Sequence, residues 1–399
     1  MSQSSKTERI HALDSLRAIM MMLGLVIHTA ITYGVYDYGS SWPLKDPDAT
    51  SPLMDWLVSL IHAFRMPVFF IVAGFFGALL FYIKGANSMA KNRLHRILYP
   101  LLVFLLILWP LVKVSFSFSR EVFAGNANAL ATALSPFHEA IAYIPERTMH
   151  LWFLYYLFLI TLVSFAIGLL LRKLPKISRG INKIFTPLFK YPFLKLLLFS
   201  SLTFLLLLLM NRKWVATSTS FIPDWRTFVF YAYFYLFGWL LYTSRQPLGQ
   251  LKRFDWLFTL MGLALLTYRF NFGSDLPLEL NMAINALTVW LFAFGITGLF
   301  IRYGSSHSHT MRYVSDASYW FYLIHLPLTA VLPGFLAGWG SGPITKFIVV
   351  LTLTTLLCWV SYHYLVRNTF IGKFLNGRRY PIRRKTRTLE VSGKLRKTS

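Results

Sequence analysis

Charge is what this chain has least of. Only 14% of its 399 residues are Asp, Glu, Lys or Arg, against 56% hydrophobic and 17% aromatic. An ordinary soluble domain carries about 25% charged residues, so the composition excludes a soluble globular enzyme and leaves an integral membrane protein. Cysteine is almost absent. The single Cys358 lies in the last apolar run, which excludes an intrachain disulfide and suits a buried small hydrophobe better than a reactive thiol. There is no polar stretch long enough for a separate soluble domain. No internal repeat is visible either, which counts against the inverted-repeat plan of many secondary transporters.

What is present is long apolar sequence. A spanning helix needs about 20 apolar residues, and ten runs near 13–35, 56–83, 94–114, 150–171, 193–210, 225–243, 255–270, 279–302, 317–337 and 344–366 meet that need. They predict an all-α integral membrane protein, a polytopic bundle of about ten transmembrane helices. The connecting loops are short except for 36–55 and 115–149 on one side and 172–192 on the other. "GWGSGP" at 338–343 marks a tight turn between the last two runs. The first run is too long for a signal peptide and lacks a small-residue cleavage pattern, so it is expected to be retained.

The net charge of +25 would suit nucleic acid in a soluble protein, but here the charges follow the membrane. Bases gather before the first run, in 84–96, 172–190, 245–253 and 302–312, and from Arg367 onward; the alternate loops hold most of the acids. By the positive-inside rule both termini are cytoplasmic. The chain divides into a transmembrane domain over 1–366 and a basic, disordered cytoplasmic tail over 367–399. That tail suits anionic lipid headgroups, and nucleic acid is not expected as a partner.

Several ionisable residues sit at bilayer depth, where each costs about 2.5–3.5 kcal/mol on the insertion scale and needs a partner, a cavity or a function. "LDSLRAIMMMLGLVIH" carries Asp14, Arg17 and His28. Arg17 and His28 are eleven residues apart, about 1,100° of rotation and roughly 16 Å of rise, so they stack on nearly one face. Arg17 can also be a headgroup anchor paired with Asp14, and His28 a neutral bond between helices. In "LIHAFRMPVFFIVAGFF", His62 enters from the other side to a matching depth. Arg65 follows at i+3 on the same face, beside the loosening Pro67. Arg65 has no short route to water, which favours function. His325 lies mid-run in "YWFYLIHLPLTAVLPG", two residues before Pro327, and also reads as a satisfied histidine at a kink. His150 and Trp152 open "HLWFLYYL" at the mouth of the fourth run, where an interface belt would look similar. On the cytoplasmic side "RLHR" sets Arg93 and Arg96 at i and i+3, a spacing that can clamp phosphates.

The spacing from Arg17 to His28 ("RAIMMMLGLVIH") and the "RLHR" at 93–96 resemble the acyltransferase-3 family of membrane acyltransferases, and the resemblance covers essentially the whole chain. "LIHAFRMPVFFIVAGFF", "HLWFL" and "YLIHLPLT" look most like a branch associated with succinylation of osmoregulated periplasmic glucans. The resemblance implies an O-acyltransferase of the bacterial inner membrane. Its donor would be acyl-CoA, with succinyl-CoA as the branch's choice, bound from the cytoplasm; its acceptor would be a periplasmic or cell-surface glycan. It makes His28 the catalytic histidine with Arg17 as companion, and gives Arg93 and Arg96 the CoA phosphates. His62 and Arg65 complete the expected catalytic set, and Asp14, His150, Trp152 and His325 the expected substrate-binding set. No metal and no permanently bound cofactor is expected; contact with glucan-synthesis proteins is. The rival readings are an O-acetyltransferase of another surface polysaccharide, a proton-coupled transporter or flippase, and a structural subunit of a synthesis complex.

Overall fold

The computed structural model describes residues 3–215, 217–244 and 248–377, with side chains from His11 onward. Among the described residues every regular element is helical. In chain order they are α1 (Gln3–Ala30), α2 (Pro52–Leu79), α3 (Ala86–Arg93), α4 (Tyr99–Phe123), α5 (Ala129–Leu134), α6 (Trp152–Lys173) and α7 (Pro175–Lys190). There follow α8 (Pro192–Met210), α9 (Trp225–Thr243), α10 (Asp255–Phe272), α11 (Leu278–Tyr303), α12 (His309–Phe335), α13 (Pro343–Ser361) and α14 (Phe370–Asn376).

Local sequence sets the helix starts. Ser51 accepts from Leu53 N ahead of Pro52 in the first turn of α2, and Asp224 accepts from Thr227 N at the head of α9, each filling a donor that a helix start leaves open. Pro333 inside α12 is accommodated by a neighbour. Ser119 of α4 donates to Ala330 O at 2.6 Å and accepts from Gly334 N at 3.1 Å, standing between two backbone groups of the bent turn.

The bundle is built on α1 against α12, α2 against α9, α4 against α12 and α11 against α8 and α10. The α2–α9 crossing depends on glycine. A Cβ at Gly74 would strike Tyr235 O, and one at Gly238 would strike Ile71 O, so the two backbones meet as closely as small residues allow in membrane bundles. At the far side of α9, Trp290 is fully buried among Phe199, Phe234, Phe237 and Phe294 with ring centroids 4.8–5.1 Å away. Its indole N–H donates to Thr203 Oγ1 at 2.8 Å. Leu106, Ile107, Leu197 and Leu209 are exposed on the outside of the bundle, where lipid tails replace water as the solvent.

Among the described residues, seven segments are long and apolar enough to cross a membrane: His11–Tyr33, Pro52–Lys84, Ala86–Phe123, Met149–Lys173, Pro192–Met210, Leu278–Tyr303 and Pro343–Val366. The other three expected runs, 225–243, 255–270 and 317–337, are also helices, α9, α10 and α12, but they fall outside the seven. Tyrosines, tryptophans and scattered charges lower their hydropathy. The stretch 172–192, expected as loop, is mostly the amphipathic helix α7, with Lys176, Arg179 and Lys183 exposed and Phe185 and Phe189 buried. The expected basic tail begins with the short helix α14, and its part from residue 378 lies outside the described residues.

At one end of the bundle the segment 34–51 folds inward. Asp46 and Lys346, at the head of α13, form an ion pair of 2.8 Å, each 1% exposed. Asp55 in the first turn of α2 accepts from Val35 N at 2.6 Å and Tyr36 N at 3.3 Å, tying the segment's start to the same end.

A candidate active site of histidines and arginine

Three histidines from three helical segments meet inside the bundle. The His28 ring of α1 lies 5.3 Å from the His325 ring of α12, and His325 lies 5.3 Å from His150 at the head of α6. Their outer nitrogens are fixed by backbone. His325 Nδ1 is 3.0 Å from Phe321 O and 2.8 Å from Tyr322 O, and His150 Nε2 is 2.9 Å from Leu323 O. A carbonyl only accepts, so these nitrogens are the protonated ones in the neutral rings. The other nitrogens, His325 Nε2 and His150 Nδ1, have no hydrogen-bond partner, and neither has His28 Nδ1. Buried polar groups are normally satisfied, so three ring nitrogens without a partner among the described residues, on neighbouring rings, single out this centre as a candidate functional site.

Arg65 of α2 adds the positive charge. Its Nε donates to Met20 O at 3.1 Å, and a Cβ at Gly24 would lie 3.1 Å from its Nη2 and 3.6 Å from His325 Nε2. Gly24, between Arg17 and His28 on α1, is therefore what lets Arg65 and His325 close on the first helix. His62 lies one turn before Arg65 on α2, close enough to His28 for an electrostatic interaction with it, and its side chain is exposed. Tyr322 donates to His150 O at 2.8 Å. Trp152 is 8% exposed, with its ring 5.6 Å from Tyr231 and 6.1 Å from Tyr156; it forms an aromatic wall beside the centre.

Below lies a cationic approach. Arg17 pairs with Asp14 at 3.2 Å, both more than a third exposed, with its guanidinium 5.6 Å from the Phe76 ring. Such a pair contributes about 0–1 kcal/mol, so Asp14 orients Arg17 more than it stabilises the fold. Arg17 also acts on Arg93, whose Nη2 lies 3.4 Å from where a Gly77 Cβ would be and whose Nε has no partner. Arg96 turns elsewhere, its Nη1 donating to Phe374 O of α14 at 3.1 Å. The π-helical turn Leu94–Leu98 spreads the two arginines further round the axis than α-helical i,i+3 spacing would. Arg96 borders a cleft of about 510 Å³ with Lys91, His95 and Lys373.

The structure thus gathers His28, His62, Arg65, His150 and His325 at one centre and Asp14, Arg17 and Arg93 beneath it. Trp42 was not foreseen. It comes from the inward segment, is 5% exposed, stacks on His28 at 5.2 Å and 17°, and donates from Nε1 to Thr32 Oγ1 at 3.0 Å. A tryptophan in a loop between spans reads as an interface residue, so the sequence held no signal for it. Met149 is the other surprise, with φ of 49°. A left-handed non-glycine residue costs on the order of 1–3 kcal/mol, and this one immediately precedes His150, turning the chain so that the histidine points inward.

A helical membrane bundle with buried histidines and arginine approached by further cations is a polytopic membrane protein with a candidate catalytic centre in its interior. The sequence agrees: a profile of the acyltransferase domain matches residues 10–363, and the chain belongs to the acyltransferase-3 family of membrane acyltransferases. It is 24% identical over 392 residues to glucans biosynthesis protein C of Salmonella typhimurium, covering 95% of this chain and 97% of that protein. Glucans biosynthesis protein C of Salmonella paratyphi B is 31% identical over 163 residues, 40% of this chain and 39% of that protein. No solved structure matches the chain.

Proposed function

We propose that the protein moves an acyl group, succinyl in the first instance, from cytoplasmic acyl-CoA to a hydroxyl of a periplasmic glucan, and that it does so in the bacterial inner membrane. The observation that carries the reading is the meeting of His28, His150 and His325 with Arg65 in the interior, each ring with an unpartnered nitrogen. The glucan rests on the names of the relatives, the family on the profile match. All ten expected runs cross the membrane on this reading, leaving both termini, α7 and α14 on the cytoplasmic side.

The donor's phosphates meet Arg93, with Arg96 meeting the donor from the neighbouring cleft and Arg17 beneath the centre drawing the anion inward. The glucan hydroxyl attacks the thioester carbonyl as His28 removes its proton; Arg65, assisted by His62, holds the charge that develops on the carbonyl oxygen. The C–S bond then breaks, and the thiolate takes the proton back from His28 and leaves as CoA thiol. His325 acts as a positioning residue. Its Nδ1–H is held by two carbonyls, so its Nε2 can accept from His28 Nδ1–H and turn His28 Nε2 toward the acceptor. His150 and Trp152 face the acceptor, and glucan-synthesis proteins deliver it.

The test is acyl transfer by purified protein given succinyl-CoA or acetyl-CoA and a glucan, with product mass read by mass spectrometry. His28→Ala should lower the rate by about 10²–10⁴-fold, the usual worth of a general base. Transfer at the wild-type rate by His28→Ala would overturn the assignment.

A further inference from the structure

At the end of the bundle that carries the inward segment, the connection from α8 to α9 borders a cleft of about 420 Å³ lined by Asn211, Arg212, Trp214, Ser218, Asp224 and Arg226. The connection is stapled to the segment that carries His150. Thr148 N and Oγ1 both donate to Thr219 O, at 2.7 and 2.9 Å, and Asp224 N donates to Tyr156 Oη at 2.8 Å. The cleft therefore adjoins the histidine centre on the side from which the acceptor arrives.

Its charge is out of place there. Outward-facing loops are poor in lysine and arginine, and at this end Lys113 pairs with Glu146, Arg120 with Glu121 and Lys346 with Asp46, while Lys45 and Arg147 donate to the backbone carbonyls of Val35 and Ser40. Arg212, Lys213, Arg226 and Arg269 have no ion pair among the described residues. The one acid in the cleft, Asp224, spends an oxygen on the start of α9, accepting from Thr227 N at 3.0 Å. Two of the guanidiniums lie near indoles. Arg226 lies 5.3 Å from the Trp225 ring and Arg269 6.0 Å from the Trp214 ring, and the Nε of each is buried without a hydrogen-bond partner among the described residues. An arginine beside an indole can still offer donors to a phosphate or carboxylate. The two tryptophans are themselves 59% and 54% exposed, offering flat apolar faces of the kind on which pyranose rings stack.

We infer that this cleft binds the acceptor glycan through an anionic substituent, a phosphate or carboxylate already on the sugar chain, and so selects acceptors that are partly modified. Arg226 of the lining takes the anion, with Arg269 contributing from beside Trp214, 6.0 Å from its ring, and Trp214 supports the sugar. The inference rests on the acyl-transfer reading of the histidine centre, but it is testable without turnover.

The experiment measures binding of a short linear glucan oligosaccharide, neutral or carrying one phosphate monoester, to the purified full chain by calorimetry, alongside transfer assays with both acceptors. Wild type should bind the phosphorylated sugar about tenfold or more tightly than the neutral one, as two charge-assisted contacts require, with the gap narrowing at high salt. Arg226→Gln with Arg269→Gln should bring the ratio of the two affinities toward one, and Arg226→Lys with Arg269→Lys should restore part of it. Trp214→Ala should weaken both sugars. Equal wild-type affinities, or a preference that survives the double glutamine variant, overturns the inference. A double variant that loses binding to phosphatidylglycerol vesicles while keeping its preference for the phosphorylated sugar would make the cleft a headgroup site and overturn it too. Selective binding by a protein that transfers no acyl group would uphold the cleft and refute the proposed reaction.

Discussion

Replacing Lys346 with methionine tests how the segment carrying Trp42 is held against the centre. Lys346 and Asp46 are 2.8 Å apart and each 1% exposed. Methionine keeps the apolar stem but leaves Asp46 buried without its cation, and breaking a buried pair from one side costs about 3–5 kcal/mol. The least costly response is for residues 36–50 to swing out, which returns Asp46 to water and lifts Trp42 from His28. The open population then rises by about two to four orders of magnitude, and amide exchange reports it in the same proportion. Asp46 N, bonded to Thr32 O at 3.0 Å, and Ser51 N, bonded to Tyr33 O at 2.9 Å, are the reporters. Exchange measured by mass spectrometry on detergent-purified protein should quicken at these two amides while α2 and α9 stay protected. Asp46→Asn with Lys346→Met should recover most of the protection, since removing both charges of a buried pair is often close to neutral. Unchanged exchange in the single variant, or a double variant as fast as the single, would refute the reasoning.

Other outcomes follow from the same geometry. Arg93→Ala should raise KM for acyl-CoA without altering membrane insertion; an unchanged KM would return Arg93 to a purely topological role. His325→Phe keeps the ring volume and removes both nitrogens, so kcat should fall by about tenfold or more while KM for donor and acceptor moves little, the pattern of a residue acting through the base. Gly74→Ala puts a Cβ on Tyr235 O; overpacking of this kind costs about 1–3 kcal/mol, and the unfolding temperature in detergent should drop, whereas Gly340→Ala, with open space around it, should leave it unchanged.

The first helix was the most legible part of the chain. Helical periodicity alone set Asp14 and Arg17 together and His28 above them, and the structure pairs the first two and brings His28 to Arg65 and His325. Arg65 was legible for a different reason: a charge in the middle of a span has few inexpensive explanations. The meeting of His150 with His325 was not legible, because it depends on a left-handed Met149 and a 3₁₀ turn at 149–151, and a non-glycine residue in that conformation leaves no mark in a sequence. Trp42 was hidden for a related reason. Its burial is fixed by Asp46 reaching Lys346, three hundred positions away, and no local pattern encodes a pairing of that separation.

Three helices that composition counts less readily as spans also contribute to the chemistry. The structure's seven long apolar segments omit α9, α10 and α12. Yet α12 supplies His325, α9 supplies Tyr231 beside Trp152 and Tyr235 beside Arg93, and α10 supplies Arg269 beside Trp214 of the α8–α9 cleft. At 19, 18 and 27 residues they are roughly 28, 27 and 40 Å long, against about 30 Å of hydrocarbon. Length therefore permits each to cross; hydropathy excludes them because their polar side chains turn inward. On α12 the polar side chains Ser318, His325 and Thr329 are buried, so the bundle interior and not lipid receives them. Substituting cysteines along α12 and labelling them from either side of the membrane would separate the readings. Accessibility that changes side between the two ends of α12 means a span; labelling from one side throughout means a helix that enters and leaves on the same face, and would move His325 out of reach of a donor and acceptor on opposite sides.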